Sequence, residues 1–227
     1  MNFSEIIATL SDYSILVPVL VVLMYRDQNP SNKLLTAVVL VTFVRNLASV
    51  VIEYVRYDLD LGLNTLFFYN WHNIIFFSLI VCIYCKELKN RYLKIFLVGS
   101  FVVFLALSFI DYSTLTYWNA DRFNKFSYPV SGFFSIIFLL LYFYQLLKEL
   151  SVPTLSAYPL FWFSTGALMY FSGTFLMYLL VQNFTKNPEL GRLYWPIDAF
   201  LSIVFNLLIW LALIKNSSRD NLPQKKQ

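Results

Sequence analysis

The sequence predicts an all-α, polytopic transmembrane bundle of seven helices, and three observations carry that prediction. Of 227 residues, 59% are hydrophobic, 19% aromatic and only 13% charged, where soluble domains carry about 25% charged residues. The apolar residues fall into seven successive runs that approach the roughly 20 helical residues needed to cross a hydrocarbon core. These runs use up nearly the whole length, so 1–215 reads as a single seven-helix domain with its chemistry inside the helices or their short connections.

The runs are placed at 6–25, 34–57, 64–84, 95–110, 127–147, 158–181 and 195–214. The N-terminal stretch MNFSEIIATLSDY carries Glu5 and Asp12 without a basic region or small-residue cleavage site, so no cleaved signal peptide is expected. Asn29, Pro30 and Ser31 supply turn chemistry before the second run, and Pro153 lies in the fifth connection. The longest connection, 111–126, holds Tyr112, Tyr117, Trp118, Asp121 and Arg122. It reads as a solvated loop with an interfacial aromatic belt, with capping of the bundle as the alternative. The tail 216–227 is polar and expected to be disordered.

Seven crossings put the termini on opposite sides. The connections 26–33, 85–94, 148–157 and 215–227 hold eleven Lys and Arg, whereas those on the other side hold four, Arg122, Lys125, Lys186 and Arg192. The positive-inside rule then places the N-terminus outside and the C-terminus in the cytoplasm of a multi-pass inner-membrane protein. The net charge of +4 is topological and does not point to nucleic acid.

The second run is the most informative, because LLTAVVLVTFVRNLASVVIEYVRY carries Arg45 near its centre and Glu53 further on. A charge at mid-bilayer costs about 2.5–3.5 kcal/mol on insertion scales, so it needs polar company. At about 100° per residue, Thr42, Arg45, Asn46, Ser49, Glu53 and Arg56 share one side of that helix. The third run adds Asn70, His72 and Asn73, and the seventh places Asp198, Ser202 and Asn206 at i, i+4 and i+8. From a rise of about 1.5 Å per residue, Arg45, Asn46, His72, Asn73 and Asn206 share a central layer. Glu53 and Asp198 lie roughly 10 Å nearer the outer face. A direct Arg45–Asp198 pair is therefore not expected, and the amides of Asn73 and Asn206 are better placed to meet Arg45. The candidate ligand or ion pocket is thus Arg45, Glu53, Asn70, His72, Asn73, Asp198, Ser202 and Asn206, open outward. The plain alternative is that these groups are interhelical glue worth about 0.6–2 kcal/mol each. One carboxylate is left over unless Arg56 serves Glu53, a balance that suits a proton- or cation-linked site.

Other motifs exclude more than they suggest. Cys82 and Cys85 form a C-x-x-C pair at the C-terminal end of the third run, where the helix dipole disfavours thiolate, so both read as reduced core residues. With one histidine in the chain, neither a zinc site nor any other metal centre is expected, and no lysine lies inside a run to hold retinal. No cofactor is expected. Thr165, Gly166, Ser172 and Gly173 repeat at seven residues in the sixth run and read as a close-packing face, with hinge glycines as the alternative. A faint match of Tyr69–Asn73 to Tyr194–Asp198 does not establish a repeat.

The segments SDYSILVPVL, NTLFFYNWHNIIFFSLIVCIYCKELKNRYLK and YWPIDAFLSIVFNLLIWLALIK resemble, in order, a group of small heptahelical membrane proteins common in Bacteroidota. That resemblance implies the seven-helix fold and no activity. Members of the group often have Glu where Asn73 stands and His where Asp198 stands, so no functional residue carries over. Two function classes follow. One is a receptor-like or signalling component that binds a small ligand and contacts a cytoplasmic partner through its basic loops. The other is a small-solute or proton/cation-linked transporter. The sequence has no evident broken helix or inverted repeat, which favours the first. An enzyme ranks third, for want of a nucleophile, base and metal set.

The topology is testable with reporters: a C-terminal fluorescent protein is expected to be bright and a C-terminal alkaline phosphatase inactive, and the reverse result overturns the assigned orientation.

Overall fold

The computed structural model describes residues 3–24, 30–59, 65–114, 124–149, 155–184 and 188–220. The side chains of Glu53 and Arg56, the connection carrying Trp118, Asp121 and Arg122, and residues 221–227 lie outside that description. The described chain contains α1 (Phe3–Ser14), α2 (Leu16–Met24), α3 (Pro30–Leu59), α4 (Thr65–Glu87), α5 (Arg91–Thr114), α6 (Ser127–Glu149), α7 (Pro159–Phe184) and α8 (Pro188–Asp220), with a short 3₁₀ turn at Leu155–Ala157. There is no strand among these residues. Seven stretches are long and apolar enough to cross a membrane, with α1 and α2 together forming the first. The protein is therefore an all-α, seven-helix integral membrane protein in contact with the lipid bilayer. Many of its large apolar side chains point outward, among them Leu23, Met24 and Phe109, each more than 70% exposed.

The first crossing is interrupted at Ile15, contrary to the expectation of unbroken helices. Pro18 has no N–H to offer the carbonyl of Ser14, and its ring crowds the preceding turn. The ladder resumes where Val19 N–H donates to the Ile15 carbonyl at 3.2 Å. Such a break is tolerated in a bilayer only when neighbouring groups serve the disturbed turn. Here the Ser14 hydroxyl donates to the Ser11 carbonyl at 2.7 Å and accepts from Asn206 Nδ2 at 2.7 Å.

Six crossings close into a ring: α1/α2 against α3, α3 against α4, α4 against α6, α6 against α7, α7 against α8, and α8 back against α1 and α2. The remaining helix, α5, packs on α4 and α6 from outside. An aromatic cluster fastens it there, with Phe77 of α4 4.5 Å centroid to centroid from Phe104 of α5, and Phe96 of α5 6.2 Å from Phe138 of α6. Asp111 of α5 is buried and accepts from the N–H groups of Phe126 and Ser127 at 2.7–3.2 Å, capping α6. The helix thus extends into the segment expected to be a loop. At the opposite face, Gln145 clasps the α4–α5 connection by accepting from Lys89 N–H and donating to the Glu87 carbonyl.

The closest helix pair, α7 and α8, meets across Gly166 and Gly173. An added Cβ at Gly166 would stand 2.9 Å from Leu208 Cβ, and one at Gly173 2.5 Å from Leu201 Cδ1. Cys82 faces outward and Cys85 is half-buried, both as free thiols, so Cys82 is not a core residue. α8 continues through Asp220, beyond the expected start of the tail.

The two glycines are expected to respond differently to alanine. In Gly166→Ala the obstructing atom is a Cβ next to the backbone, so helices must separate, at about 1–3 kcal/mol for overpacking. In Gly173→Ala the obstacle is the end of a flexible leucine, and the loss is offset by roughly 1 kcal/mol of helix propensity. Thermal unfolding in detergent is expected to show a clear loss for the first and little change for the second.

Candidate functional site

The ring encloses a partly open cavity of about 60 Å³, in the half of the bundle where α1 begins and α4, α6 and the membrane part of α8 start. By the usual allowance per buried water, that is room for about four waters. Six crossings contribute described residues: Ser11 from α1; Thr42, Arg45 and Asn46 from α3; Tyr69, His72, Asn73 and Phe76 from α4; Tyr128, Ser131 and Gly132 from α6; and the rest from α7 and α8. Among the described residues α5 contributes nothing, as expected for a helix outside the ring, and the first crossing contributes through α1 and not α2.

Arg45 is half-buried, and its environment is local. The guanidinium Nε and Nη2 both donate to Oδ1 of the neighbouring Asn46, and the cation lies 4.7 Å above the centroid of the Tyr69 ring. An amide oxygen and a π face together offset part of the cost of a membrane-embedded cation. The expected amide partners are engaged elsewhere. Asn73 Oδ1 accepts from the Ser131 hydroxyl at 2.8 Å, and Asn206 donates to Ser14. Asn73 lines the cavity and is buried, and its Nδ2 has no hydrogen-bond partner among the described residues.

Asp198 sits behind the wall. Its Oδ1 accepts from the Tyr170 hydroxyl at 3.3 Å and the Tyr178 hydroxyl at 3.4 Å, and those two tyrosines line the cavity while Asp198 does not. Arg45 and Asp198 are each held by other partners. That agrees with the expectation that they form no direct pair. Tyr128 completes this wall, stacking on Tyr178 at 4.9 Å and donating to the Tyr69 carbonyl at 2.7 Å.

His72 Nε2 makes a long 3.4 Å contact with Thr42 Oγ1. Since the threonine's one hydrogen goes to the Val38 carbonyl at 2.9 Å, it is the imidazole that donates. Below this layer, Phe76, Phe171 and Phe205 from α4, α7 and α8 form an aromatic floor, with centroids 6.0–6.2 Å from Phe76. Phe163, fully buried, supports Phe205 from beneath.

Of the expected site residues, Arg45, His72, Asn73, Ser202 and Asn206 line one cavity. Asp198 supports it through tyrosines. Asn70 does not line it; its Oδ1 accepts from Asn124 N–H at 3.3 Å and so anchors the entry to α6. Glu53 lies outside the described side chains. Sequence reasoning missed Tyr69, Tyr128, Tyr170, Tyr178, Ser131 and the Ser11–Ser14 turn. The available signals were the mid-run position of Tyr170 and a serine four residues before Pro18. Among the described residues no group of three or more His, Cys, Asp or Glu converges to hold a metal. Comparison with family models, with curated proteins and with solved structures found no match.

The Ser14–Asn206 bond makes a clean double-mutant cycle. Ser14→Ala leaves the Asn206 amide buried without its partner and is expected to cost about 1–3 kcal/mol in unfolding free energy. Adding Asn206→Leu is expected to recover part of that loss, so strictly additive losses in detergent melts would show that the contact carries no coupling.

Proposed function

We propose that this protein is a receptor-like or signalling component of the cytoplasmic membrane that binds a small ligand in the interior cavity, with its N-terminus outside. The observation that carries this reading is the shape of the cavity. Polar groups from α3, α4 and α8 converge on one space, and the aromatic floor of Phe76, Phe171 and Phe205 closes it toward the other half of the bundle. A polar site backed by packed aromatics suits recognition, with the outcome passed on as a shift of the helices that form its walls. The basic connections and the extension of α8 through Asp220 offer a surface for a cytoplasmic signalling partner. Kinship with the Bacteroidota heptahelical group belongs to this proposal too.

One observation favours the second reading, transport of a small solute. The break between α1 and α2 lies at the depth of the cavity, where Ser11 lines it and Ser14 bonds Asn206. Interrupted helices beside a mid-membrane site are a recurring feature of alternating-access carriers.

Thiol accessibility separates the two. In a Cys82→Ala/Cys85→Ala background, Ser202→Cys is probed with a membrane-impermeant thiol reagent in intact spheroplasts and in inside-out vesicles. The receptor reading predicts labelling from the outer side alone. Labelling from both sides supports transport, and labelling from neither overturns the cavity as a ligand site.

A further inference from the structure

We propose that the cavity binds a short-chain carboxylate, its anionic end on Arg45 and Asn73 and its carbon end over the aromatic floor. This deepens the ligand-site reading and rests on it.

The charge of the lining comes first. Among the described residues that line the cavity, Arg45 is the one Lys, Arg, Asp or Glu. The nearby carboxylate, Asp198, does not line the cavity and accepts hydrogen bonds from the hydroxyls of Tyr170 and Tyr178, which do. Among the described side chains, a ligand in the cavity therefore meets a guanidinium and no carboxylate. A cation would have to sit against that guanidinium, whereas an anion complements it.

The geometry of the donors narrows the class. Asn46 Oδ1 takes the Nε–Nη2 side of the guanidinium. No described hydrogen bond uses Nη1, so the outer edge formed by Nη1 and the second hydrogen of Nη2 is free. Two parallel N–H groups on a planar edge match the two oxygens of a carboxylate. The position of the guanidinium is restricted by its chelation by Asn46 and its seat on Tyr69. Asn73 supplies an independent sign of a missing acceptor, since this cavity-lining side chain is nine-tenths buried with its Nδ2 unpartnered among the described residues. Leaving a buried donor unmade costs about 1–3 kcal/mol, and an acceptor delivered by a ligand removes that cost.

Size and floor set the rest of the molecule. A cavity of about 60 Å³ holds a carboxyl group with a few carbons, and the carbons find Phe76, Phe171 and Phe205. A halide would satisfy the charge but leave the floor without contact. The carboxylate could be a free aqueous acid or the end of a membrane fatty acid; the shared chemistry is the carboxylate, and the test separates the sources.

The test uses the full-length protein in nanodiscs, as the Ser202→Cys variant in the background lacking Cys82 and Cys85. The readout is the rate of thiol modification in the presence of butyrate, butyramide, butylammonium, chloride or oleate at constant ionic strength. Butyrate is expected to slow modification at least tenfold at saturation, with butyramide, butylammonium and chloride without effect. Protection by oleate but not butyrate would identify the membrane as the source and still support the carboxylate. Adding Arg45→Gln is expected to raise the half-protecting butyrate concentration at least tenfold. Asn73→Ala, which keeps the Arg45 setting and is the fallback if Arg45→Gln does not fold, should raise it several-fold. A reactive thiol that neither carboxylate protects, or that butylammonium or chloride protects as well, overturns the carboxylate assignment while leaving the cavity as a site. A thiol that does not react at all overturns the cavity reading itself.

Discussion

A guanidinium held within the thickness of a membrane is the constraint around which this bundle is arranged. Arg45 lies past the middle of the α3 crossing, Lys33–Ile52, where no bulk water offsets its charge. Helices packed tightly around it would have to pair it completely or bear its desolvation. Here it is paired only in part, by the oxygen of Asn46 and the face of Tyr69, and the neighbouring helices leave room for polar contents. The cavity and the arginine are thus two aspects of one arrangement. The position of Asp198 follows the same logic: two tyrosine hydroxyls stabilise its carboxylate and keep it from closing directly on the cation.

The pattern of helices was legible because bilayer thickness and helix rise translate directly into run length, and all seven expected runs overlap the observed crossings. The convergence of His72, Asn73, Ser202 and Asn206 was legible as well, since each is a polar residue on an apolar helix and must face protein. Their pairings were not. Helical periodicity specifies which side of a helix is polar but not its rotation against a neighbour, and small hydroxyls on α1 and α6 settled the partners of both amides. Asn73 took Ser131, and Asn206 took Ser14. Arg45 took the residue beside it, a possibility that a search for long-range partners passes over.

Tyrosine was the other source of error. The chain contains sixteen, and in a membrane protein most look like interfacial anchors. Tyr170 and Tyr178 do different work, with rings in the wall and hydroxyls turned to a half-buried carboxylate. The break at Ile15 was hidden for a related reason: a lone proline in an apolar run is common in membranes, and only the serine a turn earlier hints that another helix serves the disturbed backbone. The close-packing face on α7 was legible because Gly166 and Gly173 are spaced by two helical turns, a signal that needs no partner to interpret.

The placement of α5 has a consequence for how the chain is threaded. α4 and α6 touch each other in the ring, and because one intervening crossing separates them they run in the same direction. Parallel neighbours cannot be joined by a short turn, so the chain must travel back through the bilayer along a route outside the wall it is building. α5 is that return route, riveted by Phe104 at mid-height and by Asp111 at one end. A six-walled vessel made only of antiparallel neighbours would bring both ends of the chain to the same face. The detour makes the number of crossings odd, and a helix that contributes no described residue to the cavity thereby sets the start of α1 and the end of α8 at opposite faces of the bundle.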